Sequence, residues 1–294
     1  HNGIWINDIF TGAAFSLTAM NSTMLDISNM DVTFFAANDE LNTPLAAGGN
    51  DLNDQSIFGM NAFVEWFEGY MEFGYAYTID ELLDDGDHSY HNAMLSWTTR
   101  WGNTASLSYR LLGNFGQQDQ ITATTPAGPP GPAGDITTVT DVTKNADGFL
   151  FLIESSWMTS MPYELIPYAN FFVGVDKPQS VARAGGILQN TGILFEGDGL
   201  TSFPTMDATA ADTWGAAFGI EYIPGFMNYQ LVFEVATVQP HGDQAGILGD
   251  QYGFGFRIQK PLTKTLILRF DGIYATREKQ DQIYGGRTEL RWKF

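Results

Sequence analysis

The chain has 294 residues, 44% of them hydrophobic, and a formal net charge of −20, enough material for one large domain or two modest ones. It contains no cysteine, which excludes disulfides and thiolate metal sites, and its acidity argues against binding nucleic acid or an anionic membrane surface through a basic face. No run approaches the roughly 18 consecutive apolar residues of a membrane helix, yet a membrane strand needs an apolar residue only at alternate positions, so hydropathy leaves the compartment open.

The chain opens His1-Asn2-Gly3-Ile4-Trp5, with neither a charged nor an apolar leader region, so any signal peptide is gone or the chain begins internally. Period-2 alternation then predicts thirteen strands, near 10–20, 29–38, 57–67, 70–80, 91–101, 104–114, 147–157, 163–175, 212–223, 227–238, 250–260, 265–276 and 283–294. In 70–80, Met71, Phe73, Tyr75 and Tyr77 share one face and Glu72, Gly74, Ala76 and Thr78 the other. Leu95 and Trp97 oppose Ser96 and Thr98; Leu107, Tyr109 and Leu111 oppose Ser106, Ser108 and Arg110. The same split sets Trp214, Phe218 and Ile220 against Gly215, Gly219 and Glu221, Phe254, Phe256 and Ile258 against Gly255 and Arg257, and Leu268 and Phe270 against Arg269 and Asp271. No helix-period segment of comparable length occurs.

Connections alternate between short and long. Short turns fall at 68–69, 102–103, 158–162, 224–226 and 261–264, and long ones at 39–56, 81–89, 115–146, 176–211, 239–249 and 277–282. The final segment, Thr288-Glu289-Leu290-Arg291-Trp292-Lys293-Phe294, places Leu290, Trp292 and Phe294 opposite Glu289, Arg291 and Lys293.

A closing strand that ends in an aromatic residue, preceded by strict short–long alternation, resembles the bacterial outer-membrane β-barrel porins. Within the opening segment, Trp5-Ile6-Asn7-Asp8-Ile9-Phe10-Thr11-Gly12-Ala13 resembles an internal strand of alginate-export-type porins. The resemblance implies a single all-β domain over 1–294, a transmembrane antiparallel up-and-down barrel in the outer membrane with its long loops outside. Its surroundings would be lipid and lipopolysaccharide, its cargo small polar solutes, and it would need no cofactor. Such barrels have an even number of strands. A fourteenth strand within 1–9, or strands upstream of this chain, would complete the thirteen and is the favoured arrangement, the alternative being a barrel of twelve in which 10–20 is not a membrane strand; a homo-oligomer or a partner in a surface complex is compatible with this arrangement.

Charge on a lipid-facing position costs about 2–4 kcal/mol near the midplane, so the charged parity must face the lumen. That predicts a basic pore lining of Arg100, Arg110, Arg257, Arg269, Arg287 and Arg291, and an acidic one of Glu65, Glu72, Glu154, Glu164, Glu221 and Glu234. Nine of the 14 Lys and Arg residues lie beyond residue 250, which would make the last strands a basic wall facing acidic strands across the lumen, or else a set of ion pairs bracing neighbouring strands.

The loops carry further candidates. Gly128-Pro129-Pro130-Gly131-Pro132-Ala133-Gly134 reads as a stiff polyproline-II stretch, and 176–211 is long enough, with enough Gly and Ala, to pack against the wall as a constriction. The acidic clusters at 50–54 and 84–87 read as solvated loops, with oxygen-ligated calcium or cations bridging lipopolysaccharide as the alternative. Two other functional classes fit the same residues: a loop-plugged structural or docking barrel, and an outer-membrane hydrolase using His91 with Ser89 nearby. The sequence favours a non-enzymatic porin selecting by radius and lining charge, with no catalytic or metal residues.

Overall fold

The computed structural model describes residues 11–22, 27–40, 54–66, 68–80, 88–102, 104–123, 139–157, 165–181, 187–188, 191–196, 205–224 and 229–292. Fourteen strands form in chain order: β1 (Thr11–Ser22), β2 (Ile27–Glu40), β3 (Asp54–Trp66), β4 (Gly69–Asp80), β5 (His88–Trp101), β6 (Ala105–Ala123), β7 (Val139–Asn145), β8 (Gly148–Trp157), β9 (Leu165–Asp176), β10 (Thr213–Tyr222), β11 (Gln230–Pro240), β12 (Gln251–Pro261), β13 (Leu266–Arg277) and β14 (Ile283–Trp292). Thirteen of them make one up-and-down sheet, each antiparallel to its chain neighbour from β1 to β14, with β7 off that path and paired only to β6. These thirteen are the strands that period-2 alternation predicts, displaced by a few residues at most ends. Among the described residues no helix is long and apolar enough to cross a membrane.

The largest departure lies in the segment read as a loop over 115–146. Strand β6 continues to Ala123 and pairs with β7 from Gln117↔Asn145 to Ala123↔Val139. Its residues, Gln118-Asp119-Gln120-Ile121-Thr122 on one arm and Thr140-Asp141-Val142-Thr143-Lys144 on the other, hold strand-forming Ile, Val and Thr but no apolar parity. A hairpin without an apolar face gives no alternation to read. The polyproline stretch at 128–134, the candidate strand in 1–9 and the acidic clusters, apart from Asp54 at the start of β3, lie outside the described residues.

The outward parity of the wall is apolar on strand after strand. Phe34, Phe58, Phe73, Leu95 and Leu111 are exposed in the first half, and Phe149, Phe171, Phe218, Phe233 and Phe270 in the second. Water would penalise this surface by about 25 cal/mol per Å², and it extends around the sheet rather than forming a patch. Hydrocarbon is its solvent. Two aromatic belts bound it: Trp66, Trp101 and Trp292 at the short-turn end, and Tyr77, Trp214, Tyr252, Tyr274 and Tyr284 at the long-loop end. The Gly102 turn between β5 and β6 has φ +58°, a left-handed conformation that glycine adopts without steric cost, and it keeps this connection tight.

Inward residues differ sharply around the sheet. On β1 and β2 they form a hydrogen-bonded polar row, with Ser16 and Thr33 hydroxyls 2.7 Å apart and Thr18 donating to Asp31 at 2.7 Å. On β9 to β13 small and apolar residues are joined by the charged Glu234, Arg257, Arg269 and Asp271, and a chain segment lies over them.

Candidate pore constriction

The segment between β9 and β10 folds onto the inner face of the wall. Val181, Ile187, Leu188, Ile193, Leu194, Phe195 and Met206 are all buried, and they join one apolar cluster with Phe172, Ala217, Val232, Ala236, Val238 and Ile273. Glycines prepare the seat. A Cβ at Gly255 would come within 3.2 Å of Ile193, and one at Gly253 would meet the Met206 sulfur, so β12 must be bare there for the segment to lie flat. The two arms of the segment bond to each other, Leu188 N–H to Ala208 at 2.9 Å and Met206 N–H to Leu194 at 2.9 Å. Its first residues are held from β5 and β6: Asn92 donates to the Gln179 carbonyl at 2.6 Å, and the Gln179 N–H donates to Asn114 at 2.7 Å.

Two carboxylates fix the segment at mid-depth. Glu234, central in β11 and 1% exposed, accepts the N–H groups of Ile193 at 3.1 Å and Leu194 at 2.9 Å and the Tyr168 hydroxyl at 2.5 Å. Hydrogen bonds to a charged group contribute about 1.5–3 kcal/mol each. Tyr168 reaches Glu234 by lying across β10 at Gly219, where any Cβ would occupy the space of its ring. Glu196, carried by the segment itself, meets three guanidinium groups: Arg287 at 2.9 Å, Arg269 and Arg257. Asp271, completely buried on β13, braces the same three from the wall, at 2.7 Å to Arg257, 2.8 Å to Arg269 and 2.9 Å to Arg287.

Three of the sequence-predicted basic residues, Arg257, Arg269 and Arg287, therefore converge on one cluster. Their charge is met on their own wall by Asp271 and by the inserted Glu196, rather than left bare toward the opposite side. Arg110 pairs with Glu154 at 3.0 Å on the adjoining β6–β8 wall. Arg291 pairs with Glu289 at 2.8 Å near the short-turn end, and Arg100 is exposed at that same end. Glu72 is buried and accepts from Ser96 at 3.3 Å, Glu65 accepts from Ser28 at 3.2 Å, and Glu221 accepts from Gln230. Glu164 lies outside the described residues.

Sequence reasoning missed Glu196 as a site residue. Its signal is a four-residue apolar-acidic run, Ile193-Leu194-Phe195-Glu196, inside a loop that otherwise has no reason to be apolar. The hydrolase candidate His91 sits on the outward parity of β5. Its ring stacks on Phe115 with centroids 4.7 Å apart, and Nδ1 is 2.7 Å from the Tyr75 hydroxyl, the setting of a belt residue.

No protein-family model matches the chain, and no curated protein sequence matches it. Among solved structures it is similar to Wzi of Escherichia coli, an outer-membrane protein involved in group 1 capsule assembly and described as a carbohydrate-binding β-barrel, with a TM-score of 0.53 at 13% identity over 97% of this chain and 62% of that one. It also matches OccAB1 of Acinetobacter baumannii (TM-score 0.47, 15% identity, 92% of this chain and 62% of that chain) and OccK11 of Pseudomonas aeruginosa (TM-score 0.45, 9% identity, 98% and 86%). The chain thus spans less than two thirds of the length of Wzi and OccAB1. Taken with the apolar outer face and its two belts, the likeness to Wzi defines the fold: this is a β-barrel of the outer-membrane type.

Proposed function

We propose that the protein is an outer-membrane porin through which small polar or charged solutes diffuse passively, narrowed at mid-depth by the segment between β9 and β10. The observation that carries this reading is the asymmetry of the inner face. The inserted segment covers β9 to β13 and its apolar cluster extends over the long-loop half of β3 to β8 through Ile57, Ala76, Met94, Leu112, Leu150 and Leu152, while polar side chains line the rest: Ser16, Thr18, Asp31 and Thr33 on β1 and β2, and Thr98 and Ser106 in the short-turn half of β5 and β6. Solutes would be sorted by the width left beside the segment and by the charges around it, the Arg110–Glu154 pair and the cluster around Glu196. In this reading the long loops face outside and lipopolysaccharide surrounds them.

The purified protein in a planar bilayer should give ohmic single-channel steps. Silence at all voltages would remove the porin reading and favour a loop-plugged docking barrel, for which the tight burial of Leu188, Ile193 and Leu194 is the supporting observation. Catalysis plays no part in either reading.

A further inference from the structure

We infer that the lumen wall beside the inserted segment is a binding subsite for a neutral polyhydroxylated solute, a single polyol or monosaccharide unit, built on β4 to β9. The inference rests on the porin reading and specifies what that pore would select. Cross-strand register places Tyr70, Thr98, Ser108, Glu154 and Asn170 in a single row across five strands. Around this row is a cavity of about 300 Å³, which Arg110, Ser106, Ser156 and Tyr168 also line. At roughly 30 Å³ per water, that is the space of about ten waters, at the small end of ligand sites.

The lining matches hydroxyl chemistry rather than ionic chemistry. Among the described residues that line it, Arg110 and Glu154 are the only charged ones, and they neutralise each other at 3.0 Å with about a quarter of each side chain exposed, 25% and 24%. A paired guanidinium and carboxylate offer donors and acceptors side by side, which is what a vicinal diol presents in return; a free anion or cation would have to break the pair. Ser106 and Ser156 lie directly opposite each other in register, and neither hydroxyl bonds another described residue. Thr98 donates to Ser108 at 3.0 Å, which leaves the Thr98 oxygen free to accept.

Tyr70 supplies the apolar component. The residue is 38% exposed and its ring packs on Phe63, with centroids 5.5 Å apart, which offers an aromatic surface to the C–H face of a sugar ring. The cavity also touches the constriction: Asn170 on its rim donates to the Thr191 carbonyl of the inserted segment, and Tyr168 on its floor is the residue that bonds Glu234. The arginine cluster offers no comparable site, because Glu196 and Asp271 already occupy its guanidinium groups.

Saturation-transfer NMR on the whole chain in lauryldimethylamine oxide, with D-glucose and xylitol as probes, tests this beside bilayer conductance. Both probes should show transfer. Replacing the pair together, Arg110→Met with Glu154→Leu, should weaken binding about tenfold, the loss of one charge-assisted contact, and Tyr70→Ala about threefold. The double replacement leaves no unpaired buried charge, and Tyr70→Ala keeps the inference testable should the double variant fail to fold. A conducting protein without probe transfer overturns the subsite while leaving the porin standing. Transfer from a silent barrel supports the subsite while removing the porin. Sulfate competing with glucose as strongly as xylitol does would show an anion site and overturn the inference.

Discussion

The wall of β9 to β13 and the wall of β1 to β6 share an outward face and differ inward. Both present aromatic and aliphatic side chains to hydrocarbon, Phe218 and Phe233 in the one and Phe34 and Phe73 in the other. Inside, the first carries Gly215, Ala217, Gly219, Gly253 and Gly255 beneath an inserted segment, and the second carries hydroxyls, amides and carboxylates together with the buried apolar Ile57, Ala76, Met94 and Leu112 toward its long-loop end. The outward face is dictated by the solvent. The inward face is dictated by what packs against it, and here the inserted segment covers one part of it far more than the other.

That contrast can be broken at several points. The outward face is the most sensitive: Phe233→Arg, central in β11, should destabilise the barrel by about 2–4 kcal/mol, measured as earlier loss of the folded band on heating in detergent, and an unchanged transition would mean that this parity does not meet lipid. Glu234→Ala removes the acceptor for two backbone N–H groups and a phenol, and should weaken docking of the segment by about 3 kcal/mol. The readouts are protease cleavage between residues 181 and 205 and a larger open-channel conductance; resistance with unaltered conductance would show that the apolar contacts alone hold the segment.

Gly219→Val should displace Tyr168 from its seat and cost about 1–3 kcal/mol by overpacking, a smaller form of the same undocking. Glu196→Gln leaves the segment seated through Glu234 and uncovers positive charge, so the reversal potential should move toward anions, whereas Arg257→Ala with Arg269→Ala should move it toward cations. Fixed selectivity in both would place the ion path away from this cluster. The smallest effect belongs to the rim, where Arg291 is about half exposed: removing it together with Glu289 should change stability by less than about 1 kcal/mol.

How much of this is legible in the sequence differs by level. The strand pattern is legible because lipid imposes the same demand on every second residue of every strand, so Phe254, Phe256 and Ile258 announce their face without reference to any partner. The β6–β7 hairpin is not, because no apolar parity marks it. Glu234 and Arg269 are legible as inward residues, yet their partners are not: Glu234 is read as a lumen charge and proves to be an anchor for a peptide 40 residues away in sequence. The inserted segment shows itself only as a long loop with Gly and Ala, although its Ile193-Leu194-Phe195 run and the bare Gly253-Phe254-Gly255 strand are complementary features that sequence separation conceals.

By itself, then, the sequence determined the thirteen strands of the wall, their faces and the barrel class, because side-chain alternation and a hydrocarbon solvent act locally, residue by residue. Only the tertiary structure decided which inward residues meet the folded-in segment, where Glu196 finds its arginines, and that Arg110, Glu154 and Tyr70 border one cavity. Those outcomes depend on contacts between residues tens of positions apart, and no local period encodes them.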